Sequence, residues 1–182
     1  MMTQLGKSAY VEGKFIQERY LQGFSRSLVS SGTFLYWQEK GVYWEIQKPF
    51  FHAVTYRDSD IIHWGSNGKP TEVIKTDIVQ KLVSRVILAM LSANLERLEE
   101  QFYVETKPDP QGWFMVLRPK LKVVAQIIQH IDVVGGKYLQ QIDLMAVNGD
   151  KTVIAFVNTE ESPQPSKEKC QHFFVKPNQA CL

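Results

Sequence analysis

The chain has 182 residues, enough for one domain with a real core, and its 21 Lys and Arg against 19 Asp and Glu are scattered rather than gathered into blocks. That balance argues against a nucleic-acid surface or a polybasic membrane anchor, so no nucleic-acid partner is expected. The longest apolar run, VILAMLSA from Val86 to Ala93, falls well short of the roughly 20 residues that span a bilayer as a helix.

From Gly13 the chain reads as a succession of strands, GKFIQERYL, LVSSGTFLYW, GVYWEIQ, FFHAVTYR and DIIHWG, separated by Gly, Pro and acidic turns. These are expected to be neighbours in a meander. The aromatic-rich stretch SGTFLYWQEKGVYWEIQKPF reads as a hairpin whose turn, centred on Gln38 to Gly41, pairs Trp37 with Val42, Leu35 with Trp44 and Thr33 with Ile46. Alternation of side chains then predicts one uniformly apolar face. The other face carries Phe34 opposite Glu45 and Tyr36 opposite Tyr43, a mixed surface that can meet water.

SNGKP at residues 66–70 signals a turn, after which the period changes. From Asp77 to Leu91 the apolar residues Ile78, Val79, Leu82, Val83, Val86, Ile87, Met90 and Leu91 recur at three and four, predicting a helix with Thr76 as its N-cap. A second short helix, LERLEEQF, is expected to be capped by Asn94. Strands return with FYVETK, WFMVLRP, AQIIQHIDVV, YLQQIDLMAV and KTVIAFVN, the last two joined by a turn at Asn148, Gly149 and Asp150. The composition of residues 161–182 is that of a tail, leaving residues 1–160 as a single domain.

Strands, one helical insertion and further strands predict a mainly β domain with α elements, an antiparallel sheet with helices over one face. About ten strands are too many to stay flat, so the sheet should curl. Such a sheet with a helix over its mouth encloses either a cavity or a packed core. The helical stripe taken alone fits core packing as well as a lid.

No G-x-S-x-G elbow, Walker loop, H-E-x-x-H or G-x-G-x-x-G motif occurs, so neither an enzyme nor a cofactor is expected. His52, His63 and His130 lack metal-like spacing, and Cys170, His172 and Cys181 have no fourth zinc ligand near them in the sequence. Asp58 and Asp60 read as turn residues, and Glu99 and Glu100 as a solvated helix face. Cys170 and Cys181 are either a disulfide, in an oxidising compartment, or two free thiols.

The run FIQERYLQGFSRSLVSSGTFLYWQEKGVYWEIQKPF, followed by LSANLERLEEQF, WFMVLRPK and LQQIDLMAVNGDKTVIAFVN, resembles the LolA family of periplasmic outer-membrane lipoprotein carriers, over roughly residues 13 to 158. The Gly32 strand, the W-E-x-x-x-P segment from Trp44 to Pro49 and the closing strand pair carry it. The resemblance implies an incomplete antiparallel β-barrel, a curled half-barrel lidded by helices, whose apolar concave face holds the acyl chains of a lipoprotein.

It further implies that Leu35, Trp37, Val42, Trp44, Ile46, Val54, Tyr56 and Phe156 line the cavity and that Val83, Ile87 and Met90 form the underside of the lid. The better-known carriers place an Arg-Pro pair after the aromatic strand, the Arg latching the lid; Gln38 and Glu39 stand there in this chain. That departure fits a divergent branch handling another acylated lipid or glycolipid. The implied partners are an acylated lipoprotein or other acyl lipid, an inner-membrane donor transporter and an outer-membrane acceptor, with the carrier itself a monomer. A periplasmic location is implied, the leader having been removed ahead of MMTQLGKSAY. A lipid-binding periplasmic sensor or regulatory protein on the same fold is the alternative. A lipid-ester hydrolase would need a Ser, His and acid set that nothing in the sequence suggests.

Overall fold

A computed structural model describes residues 9–38, 40–57, 60–74, 78–91, 95–109, 112–176 and 181, the side chains of residues 72–84, 95 and 109 excepted. The first half contains β1 (Tyr10–Tyr20), β2 (Leu28–Trp37), β3 (Gly41–Lys48), β4 (His52–Tyr56), β5 (Ile61–Trp64) and β6 (Pro70–Ile74). Two helices follow, α1 (Ile78–Leu91) and α2 (Leu95–Glu99). The second half contains β7 (Phe102–Asp109), β8 (Gly112–Pro119), α3 (Lys122–Ala125), β9 (Ile128–Gly135), β10 (Leu139–Ala146) and β11 (Lys151–Ser162), then α4 (Lys167–Cys170) and a 3-10 turn at Gln171–Phe173.

All eleven strands form one antiparallel sheet in the order β6-β5-β4-β3-β2-β1-β11-β10-β9-β8-β7. Each strand pairs with its chain neighbour except at the centre, where β1 and β11 join two meanders. The sheet curls without closing, so β6 and β7 remain its edges. The chain between these edges must travel from one to the other. It does so over the concave face, where α1 packs on β3 and α2 on β7. The expected half-barrel with a helical cover is therefore the observed architecture.

The register of the β2–β3 hairpin differs by one residue from the expected one. Tyr36 pairs with Val42, Leu35 with Tyr43, Phe34 with Trp44 and Gly32 with Ile46. The turn uses three residues, and Gly41, expected inside it, is already opposite Trp37 in the strand. Gly41 holds φ at +119°, and a Cβ there would lie 2.1 Å from the Tyr56 carbonyl oxygen, so glycine is required. A one-residue shift moves every side chain to the other face. Phe34 and Tyr36 consequently join Val42, Trp44 and Ile46 on the concave side. Leu35 and Trp37 lie with Tyr43 on the convex side.

Other differences are smaller. β6 begins at Pro70, which the SNGKP reading placed in a turn; proline is tolerated as the first residue of an edge strand. The strand expected from Ala125 starts instead at Ile128, after the single helical turn α3. Thr76, Asp77, Asn94, Asp58 and Glu39 lie outside the described residues.

The C-terminal segment packs on the convex face. Phe173 and Phe174 meet the Trp37 ring edge-on at 5.5 and 6.1 Å, and His172 stacks on Tyr43 at 4.2 Å. Thr55, the buried polar residue of this cluster, donates to the His172 carbonyl oxygen at 2.5 Å and accepts from Trp64 Nε1 at 2.8 Å. Both bonds are needed because an unpartnered buried hydroxyl is costly. Lys169 Nζ reaches both carboxylate oxygens of Glu12, at 2.7 and 2.8 Å, and a Cys170–Cys181 disulfide closes the segment.

Candidate functional site

The concave face follows from the register. Phe15, Gln17 and Arg19 of β1 stand opposite Phe156, Ile154 and Thr152 of β11, and the next row brings Ile142 and Leu144 of β10 against Val133 and Ile131 of β9. Alternation puts all of them on one side.

The two ends of this trough are filled differently. Toward the β2–β3 turn, aromatics close it: Phe15 stacks on Trp44 at 3.8 Å, and Phe34 meets Phe156 edge-on at 5.3 Å. The C-terminal half of α1 completes the plug, since six consecutive residues, Val86 to Leu91, are all buried. A helix apolar on every side is an embedded one, so this half is inserted into the trough rather than laid across it by a stripe.

Toward the other end most of the filling residues are aliphatic and do not reach across, and a cavity of about 570 Å³ opens. Trp44, Ile46 and Tyr56 wall it from the first meander and Ile128, Ile131, Ile142, Leu144 and Ile154 from the second. Val86 and Ile87 form its roof. The size falls in the usual range of small-molecule pockets.

Polar groups gather at the rim: Gln17, Arg19, His52, Asp150 and Thr152. Asp150 is held below the ordinary carboxylate range, chiefly because it accepts from the Gln22 backbone N–H at 2.8 Å, with Asn148 and the charge of Arg19 adding to the effect. Burial pushes the His52 imidazole down, and His63, its ring 5.9 Å away, adds to that. The Tyr56 phenol, deeper inside, is pushed up to about 12 by burial. The interior is thus apolar with charge confined to the entrance, an arrangement that holds an apolar chain with a polar head outside.

Of the residues implicated by sequence, Trp44, Ile46, Tyr56 and Ile87 line this cavity. Val42, Val54, Phe156 and Met90 pack in the same concave core. Leu35 and Trp37 do not share it: the register shift places them under the C-terminal segment. The side chain of Val83 lies outside the described part of the structure. Gln38 is exposed in the β2–β3 turn, at the plugged end, and its carboxamide bonds no described residue. Cys170 and Cys181 are joined, 5.7 Å apart at Cα.

Apart from Phe156, the wall contributed by β9, β10 and β11 was missed. Its signal is the alternation of Ile142, Leu144 and Ala146 and of Thr152, Ile154 and Phe156, each series one face of a strand. No described helix is long and apolar enough to cross a membrane.

The family model described as outer membrane lipoprotein carrier protein LolA matches residues 7–172. No curated protein sequence matches the chain. Among solved structures, a LolA superfamily protein from Nitrosomonas europaea superposes with a TM-score of 0.52 at 9% identity, over 88% of this chain and 89% of that one. MucB in the Pseudomonas aeruginosa MucA/MucB complex gives 0.48 at 11% identity, over 92% of this chain and 59% of that one. A putative outer membrane lipoprotein-sorting protein domain from Vibrio parahaemolyticus gives 0.45 at 7% identity, over 88% of each chain. At such identities the Nitrosomonas structure speaks for the fold alone, and the family match spans the whole sheet, α1 to α4 and about half of the C-terminal segment. The chain belongs to the LolA family of outer membrane lipoprotein carrier proteins.

Proposed function

We propose that this protein is a periplasmic carrier that shields an acyl chain of a lipoprotein, or of a related lipid, and passes it from an inner-membrane donor to an outer-membrane acceptor. The observation that carries the reading is the cavity of about 570 Å³ between the concave face and α1, apolar within except for the Tyr56 phenol and with its charged groups at the entrance. Each methylene taken out of water contributes about 0.8 kcal/mol, so eight to ten of them supply on the order of 7 kcal/mol. Binding of that size is reversible, so net transfer follows the affinities and requires a receiver whose apolar site holds the chain more tightly. The protein acts by binding and handing over, without covalent chemistry.

Uptake of a fluorescent fatty-acyl probe tests this. The parent should bind it, and Leu144→Trp, which fills the cavity, should reduce uptake at least about tenfold. Trp44→Asp should abolish it by placing a charge that the chain would have to desolvate. Because Trp44 also stacks on Phe15, circular dichroism must show each variant folded. Undiminished uptake by a folded Leu144→Trp protein would contradict the assignment. Uptake with no transfer to acceptor vesicles or proteins would favour a lipid sensor on the same fold.

A further inference from the structure

We propose that the rim around the cavity's mouth is a docking surface for an anionic lipid bilayer. Three of the connections at this end of the sheet are tied to one another. The 21–27 loop bonds the β10–β11 turn through Gln22 and Asp150, and that turn bonds the β8–β9 connection through Val147 N–H and Ile127 O. The β3–β4 loop closes the rim beside His52.

These connections hold large apolar side chains out in water: Phe24 is 71% exposed and Phe50 82%, and Leu121, Val123 and Val147 each exceed half. None of the exposed large apolar residues among the described ones comes from the connections at the opposite end, residues 38–40, 57–60 and 136–138. A protein concentrates such residues at one end where something covers them.

Charge selects the cover. The connections at this end carry Arg26, Lys69, Lys120 and Lys122 against two acids, Glu100 ahead of β7 and Asp150, the latter engaged with Gln22 and Asn148. Apolar tips on several separate loops, two of which, 21–27 and 120–127, also carry the bases, suit a fluid interface that needs no shape match and presents negative headgroups. Docked this way, the mouth would face the acyl region, and a chain would enter between Arg19 and His52 without crossing water. The role given to docking here rests on the carrier reading; the surface itself does not.

The test uses the full chain with its disulfide and flotation on vesicles of phosphatidylcholine with or without phosphatidylglycerol. The parent should float with the phosphatidylglycerol vesicles, less so at high salt. Phe24→Ser with Phe50→Ser should weaken this at least about tenfold. Arg26→Glu with Lys122→Glu should weaken it about as much. None of these residues lines the cavity, so uptake of a soluble acyl probe should be unchanged in both variants. Failure of the parent to float, floating by the serine variant equal to the parent's, or binding only to a protein partner would overturn the docking surface. A parent that takes up the probe yet does not float removes the docking surface alone. Floating without any probe uptake supports the surface and removes the carrier reading.

Discussion

The β2–β3 hairpin is apolar on both faces, and the two faces meet different covers. On the convex side, Leu35, Trp37 and Tyr43 lie under the chain's own C-terminal segment, with Phe173 buried among them and the segment tied down by Lys169, Thr55 and a disulfide. On the concave side, Trp44 and Ile46 lie under α1, which seals the trough at one end and leaves about 570 Å³ open at the other. An apolar strand face marks burial. Whether it becomes a site depends on whether its cover fills the space. The convex cover brings three aromatic rings to fill it, whereas at the mouth the concave cover brings only Val86 and Ile87.

The contrast breaks most severely at Phe173. Truncation to alanine removes a fully buried ring and should cost about 3 to 5 kcal/mol in denaturant unfolding, while probe uptake by the folded protein stays intact. A loss of uptake at unchanged stability would show that the convex cluster takes part in binding. Cys181→Ser should cost less, about 2 to 3 kcal/mol, because opening the loop frees only the unfolded chain. Again uptake should be untouched, as followed by the same two measurements.

Acid should act through two buried histidines, His172 under the convex cover and His52 at the cavity's rim. Burial pushes His172 below its ordinary value, although Glu45 and Glu168 pull the other way, so the unfolded chain takes up the proton first. Stability should be level above the ordinary histidine value of about 6.5 and fall as pH drops below it toward the folded value. For Glu12, burial alone would raise the value, but bonds from Lys169 and Tyr10 more than offset it; its contribution is lost at still lower pH, as that carboxylate is protonated. Melting temperature against pH should show the upper step, and His172→Gln should shrink it without removing the share due to His52. A profile identical in the variant would rule His172 out.

The smallest effect is expected at Gln38. The resemblance points to it as the latch position, but it stands exposed at the plugged end. Gln38→Arg should alter release of a bound probe by no more than about twofold, the scale of an exposed polar contact. A release several times slower would restore a latch.

How far the sequence could be read depends on the kind of information each feature needs. The meander, the helix ending at Leu91 and the Asn148 turn rest on local period and turn chemistry, and all were legible. The hairpin register was not, because residues 33–37 and 42–46 are apolar on both faces and a one-residue slip leaves the pattern nearly as good. What decides it is the strained backbone at Gly41. Part of the cavity wall, Trp44, Ile46, Tyr56 and Ile87, was recognised through the family resemblance. The convex cover depends on contacts such as Thr55 to His172, separated by 117 residues, for which no local pattern exists.

Loading the protein with an acyl chain bearing a photoreactive group at its end, irradiating it and mapping the labelled residues by mass spectrometry would test the central claim most directly. Labels on Ile87, Ile131, Ile142 and Leu144 are the expected result, since these line the open end of the concave trough. Labels confined to Leu35, Trp37 and Phe173, or spread over the surface without preference, would contradict it.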